Sequence, residues 1–116
     1  MDDESLFDGE REMTETETNK IAKIELAIVH ELVKAISKHG PMHGPHEGYA
    51  VILEELDELW DEIKINPKAQ ALLETMSITD AIAYNRARQM DRMREEAIQV
   101  AAMAMRFVLD VCGGME

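Results

Sequence analysis

A chain of 116 residues makes one domain and has no material for a second core. Hydrophobic residues are 46% of it and aromatics only 4%, with nine Met, six Gly and three Pro, a balance that favours helix over sheet. The formal charge of −12 repels phosphate backbones and disfavours ordinary nucleic-acid binding.

Much of the charge lies at the start. Residues 2–17 carry eight acids (Asp2, Asp3, Glu4, Asp8, Glu10, Glu12, Glu15 and Glu17) against Arg11 alone, leaving 16 acids and 11 bases for the rest. Residues 1–18 therefore read as an acidic, disordered lead-in, and residues 19–116 as a single helical domain. The acidic N-terminus has no apolar stretch of the kind a signal peptide needs, and no apolar run approaches the ~20 residues of a membrane span. With one cysteine, Cys112, no internal disulfide forms, so a cytoplasmic address and no membrane partner are expected.

Ile21, Ile24, Ala27, Ile28, Leu32 and Ile36 recur at three and four, predicting a first helix over about 19–38, capped by Thr18 or Asn19. Two Gly-Pro pairs in His39-Gly40-Pro41-Met42-His43-Gly44-Pro45-His46 force a loop. The loop fixes no common face for His39, His43 and His46, so a structural zinc site is not expected there. A second helix follows over about 47–65, with an apolar stripe of Tyr49, Ile52, Leu56, Leu59, Trp60 and Ile63, and Asn66-Pro67 ends or kinks it. Trp60, the single tryptophan, is expected in the core. Ala69, Leu72, Leu73 and Met76 suggest a short helix over 68–78.

From about Thr79 to Val111 nothing breaks the pattern. Met90, Met93, Ala97, Val100, Ala101, Ala104, Phe107, Val108 and Val111 recur at close to 3.5 residues, and Gly113-Gly114 is the stop signal. A helix of ~30 residues runs about 45 Å, more than a lone domain of this size covers. The expected fold is all-α: a bundle of antiparallel helices with a long C-terminal helix, completed by oligomerisation. Cys112 is read as a small buried hydrophobe.

The second helix also carries Glu54-Glu55-Leu56-Asp57-Glu58-Leu59-Trp60-Asp61-Glu62. Acids four apart repel on a helix, and the first base after the run is Lys64. Glu55, Glu58 and Glu62 fall beside the apolar face, where carboxylates need a cation, and hard oxygen ligands favour Mg²⁺ or Mn²⁺. The alternative is an acidic solvated face. On the long helix Glu96, Gln99 and Arg106 share a strip, and Arg92 stands one turn before Glu96; an Arg92–Glu96 surface pair is the plain reading of those two.

Glu54-Glu55-Leu56-Asp57-Glu58 resembles the EExxE motif of the MazG-like, all-α nucleoside triphosphate pyrophosphohydrolases. The order of helix, loop, acidic helix and second acidic helix is similar too, over roughly residues 20–111. The family's second motif, ExxD, has its counterpart in Glu96-Ala97-Ile98-Gln99. The resemblance implies hydrolysis of a (deoxy)nucleoside triphosphate to the monophosphate and pyrophosphate. It implies Mg²⁺, possible also as Mn²⁺, on Glu55, Glu58 and Glu96 with Gln99 as the fourth ligand, and Glu54 orienting or deprotonating the attacking water. It further implies a homo-oligomer, dimer or tetramer. Arg92, Arg106 and His46 are the cationic candidates for the substrate phosphates. Two departures stand out: Gln99 replaces a charged ligand by an amide, and residues 66–90 form an insertion between the motifs. A non-catalytic oligomeric interaction protein with a degenerate metal site is therefore the second reading, and an acidic mimic of nucleic acid the third.

Overall fold

The computed structural model describes residues 10–64, 74–75 and 77–115. Three helices make up the described fold: α1 (Glu15–Lys38), α2 (Pro45–Ile63) and α3 (Ile78–Asp110). Most of the short helix expected over 68–78 lies outside the described residues, as does half of the 1–18 lead-in. Among the described residues no strand occurs, and no helix is long and apolar enough to cross a membrane.

Each helix starts where a side chain or a proline satisfies its first turn. α1 begins four residues earlier than the periodicity suggests, because Thr14 and Glu17 form a capping box. Thr14 Oγ1 accepts from the Glu17 amide at 3.0 Å, and the Glu17 carboxylate accepts from the Thr14 amide at 3.0 Å. Arg11 adds a two-pronged ion pair at 2.7 and 2.8 Å, and this hydrogen bonding lowers the Glu17 pKa to about 2. α2 opens on Gly44 with Pro45 in its first turn, where the missing N–H costs nothing. Its Glu47 reaches back to the His43 backbone N–H at 3.3 Å and ring at 3.1 Å. Ser77 caps α3 by accepting from the Asp80 amide at 3.2 Å. α3 ends on Gly113 and Gly114, both at positive φ (79° and 92°), a conformation glycine takes without a Cβ penalty.

α3 is the spine. Its 33 residues span about 50 Å, and both other helices lie on it, α2 antiparallel and α1 parallel. α1 and α2 do not approach each other within 8 Å between Cα atoms. The closest seating of α2 is at Gly48, where a Cβ would stand 2.5 Å from the Phe107 ring. At the other end of α2 the Gln89 side chain donates to the carbonyls of Glu62 and Ile63, at 3.4 and 3.2 Å.

The loop between α1 and α2 is held by one buried cation. Arg106, 5% exposed, donates through Nε to Asp110 at 3.0 Å and through Nη1 to the Ala35 carbonyl at 3.1 Å. Its Nη2 donates to the carbonyls of His39, at 2.8 Å, and Gly40. Asp110 in turn accepts from the Met42 amide at 3.0 Å. That bond, helped by Arg106, holds the Asp110 carboxyl below its ordinary range. The Gly-Pro loop thus gains the partners that its own backbone geometry denies it.

The interior of one chain is thin. The buried apolar side chains among the described residues are Met42, Ala81 and Ala102, and no large side chain is sealed off. Trp60, expected in the core, is 56% exposed, and Cys112 is exposed rather than buried.

Candidate metal centre

The acidic stretch of α2 divides by helical geometry. At 100° per residue, Glu55, Glu58 and Glu62 turn toward α3, while Glu54, Asp57 and Asp61 turn to solvent. Because α2 runs antiparallel to α3, Glu55 and Glu58 meet Glu96 halfway along the spine. One carboxylate oxygen from each of these three lies within 4.8 Å of the others. Glu55 Oε2 and Glu96 Oε2 are buried and have no hydrogen-bond partner.

Three carboxylates this close are unstable as bare anions. Burial first, then the charge of Glu58 and hydrogen bonding to it, push the Glu55 pKa up to about 7; Glu96 and Glu54 add to the repulsion. Glu96 is raised too, by burial first, then by the charge of Glu58 and hydrogen bonding to it, with Glu62 and Glu95 adding to the repulsion. Arg92 Nη1 stands 3.9 Å from Glu62, beside the cluster. That contact links α3 to α2 at the edge of the cluster, in place of the Arg92–Glu96 pair along one helix that the sequence suggests. The donor set fits a hard divalent cation: oxygens only, negative, contributed by two helices and partly dehydrated.

The other expected site residues are spread out. Glu54 neighbours Glu55 but is exposed, at the rim. Gln99, half-buried one turn beyond Glu96, lines an open groove of about 500 Å³ between α1 and α3 with His30, Lys34, Arg94 and Glu95. His46 is exposed in the first turn of α2, nine residues and so about 14 Å along the axis from Glu55. It stands too far away to share a phosphate with the cluster. Arg106 is corrected outright: it lies ten residues, about 15 Å, from Glu96, and all three of its nitrogens are committed to the loop clamp. The Arg106–Asp110 spacing of four was a visible signal for an ion pair. The two carbonyl-rich turns that Arg106 also serves were not legible.

Comparison with family models, curated proteins and solved structures finds no match. The MazG-like likeness is one of motif and helix order.

Proposed function

We propose that this chain is a divalent-metal-dependent nucleoside triphosphate pyrophosphohydrolase. The observation that carries the reading is the Glu55–Glu58–Glu96 cluster, with two buried carboxylate oxygens that have no hydrogen-bond partner among the described residues. Glu55, Glu58 and Glu96 would hold Mg²⁺ or Mn²⁺, which when bound neutralises the triphosphate and lowers the pKa of coordinated water. The reaction breaks the α–β phosphoanhydride, giving the nucleoside monophosphate and pyrophosphate, and asks mainly for positioning and charge compensation. Glu54, exposed at the rim, orients the attacking water and accepts its proton. Arg92, half-exposed and loosely held by Glu62, is placed to turn toward the phosphates. We place the reaction in the cytoplasm and in a homo-oligomer.

The test is pyrophosphate release from the common ribo- and deoxynucleoside triphosphates, with Mg²⁺ or Mn²⁺ and with Glu55→Gln as control. Metal-dependent release that Glu55→Gln abolishes supports the assignment and names the preferred base. Release that survives in the variant, or none in the unmodified chain, sinks it.

Gln99 supports one alternative, a helical interaction protein that keeps the scaffold with a weakened metal site. An amide brings no charge to the set, and here it faces the α1–α3 groove. Activity that appears only in Gln99→Asp would favour this alternative.

A further inference from the structure

α2 ends without a glycine or a cation to close it. Its last turn holds no basic residue, and Ile63 is followed by Lys64 in extended conformation. The Lys64 amide closes back on the Trp60 carbonyl at 3.0 Å, which leaves the carbonyls of Glu62 and Ile63 beyond the reach of the helix's own ladder. α3 supplies their donor. Gln89, half-buried, carries two hydrogens on Nε2 and donates to both carbonyls, at 3.4 and 3.2 Å.

We propose that Gln89 is a positioning residue for the carboxylate cluster, fixing the register of α2 on α3 that brings Glu55 and Glu58 to Glu96. The inference rests on the metal reading of that cluster. Spacing carries it. Glu55 lies seven residues before Glu62, and Glu96 lies seven residues after Gln89. Seven residues make two turns, so on antiparallel helices both carboxylates stand about 10 Å from the clamp and return to the faces that it joins. The other end of α2 is seated differently. There Gly48 rests on the Phe107 ring, an apolar contact with no directional bond to resist sliding. A slip of one residue moves α2 by about 1.5 Å. Metal–oxygen distances tolerate only about 0.2 Å. The clamp therefore decides whether three carboxylates can share one ion. Gln89 belongs to the 66–90 stretch that separates the two acidic motifs, so neither motif points to it.

The test reads register and metal separately, both in the full chain. Free Mn²⁺ measured by electron paramagnetic resonance gives the affinity. Spin labels on Asp57→Cys and Arg94→Cys, both exposed positions, give the α2–α3 distance without metal in a Cys112→Ser background. Gln89→Met keeps the side-chain length and removes the donors. It should weaken Mn²⁺ binding about tenfold and broaden the distance distribution. Gln89→Lys restores N–H donors and should recover both. Ser77→Ala removes the α3 cap, and so perturbs stability alone; it should change neither. Unchanged Mn²⁺ affinity or unchanged distances in Gln89→Met overturn the proposal, as does a Gln89→Lys chain that binds no better than Gln89→Met. An unmodified chain that binds no Mn²⁺ is a different failure: it overturns the metal reading itself, and this inference with it.

Discussion

Charge is buried against α3 in two places, and the two are treated in opposite ways. Near its C-terminal end, Arg106 enters the interior with its nitrogens donating to Asp110 and to three backbone carbonyls, and Asp110 gains the Met42 amide besides. Halfway along, Glu55, Glu58 and Glu96 converge with no cation among them, and two of their oxygens are buried without partners. The first site is complete within the chain and can only hold structure together. The second has no compensating cation among the described residues, so its charge is left uncompensated there. The same physical rule thus separates a structural charge from a candidate functional one.

The contrast predicts opposite responses to removing charge. Arg106→Ala strands Asp110 and three carbonyls, and should cost about 3–5 kcal/mol, read from chemical denaturation. Asp110→Asn keeps an acceptor for Met42 but loses the ion pair, so about 1–2 kcal/mol is expected in the same assay. Glu55→Gln should do the reverse. In metal-free protein at pH 8 it should stabilise by about 1 kcal/mol, discounted for partial solvent screening. A destabilised Glu55→Gln would mean that the cluster is internally satisfied, and the contrast would fail.

The pH dependence sharpens the same point. The Glu55 carboxyl holds its proton more tightly in the fold, near pH 7, than in the unfolded chain, near 4.5. Its contribution to stability is fully present below about pH 4.5 and is lost as pH rises through about 7. Melting temperatures of the metal-free chain between pH 5 and 8 should show this decline, and Glu55→Gln should flatten it. Mg²⁺ should restore stability above pH 7 in the unmodified chain and leave the variant unmoved. The smallest effect belongs to Arg92→Ala, whose exposed 3.9 Å contact with Glu62 is worth under about 1 kcal/mol.

The helices were legible because their signals are local. Gly-Pro pairs and Gly113-Gly114 bound them within a residue or two, and the 3.6-residue period marked their apolar sides. The start of α1 was misplaced because the acidic residues around Thr14 looked like a solvated tail. A capping box needs only Thr and Glu three apart, and both were there. The meeting of Glu55 and Glu58 with Glu96 could be expected only from the family resemblance, since nothing in residues 55 and 96 alone sets the register of α2 on α3. Arg106 was misassigned because a cation on the strip of Glu96 looks the same in sequence whether it faces solvent or a loop. Trp60 was assigned to the core because periodicity shows which side of a helix is apolar, not whether another helix covers it.

One consequence follows from α1 and α2 each resting on α3 and not on each other. A chain synthesised from its N-terminus delivers α1 and α2 first, and neither finds a packing surface in the other. Both must wait, as unsupported amphipathic segments, until residues 78–110 emerge. A chain truncated before Ile78 should therefore show little stable helix by circular dichroism, and one carried through Asp110 should regain it.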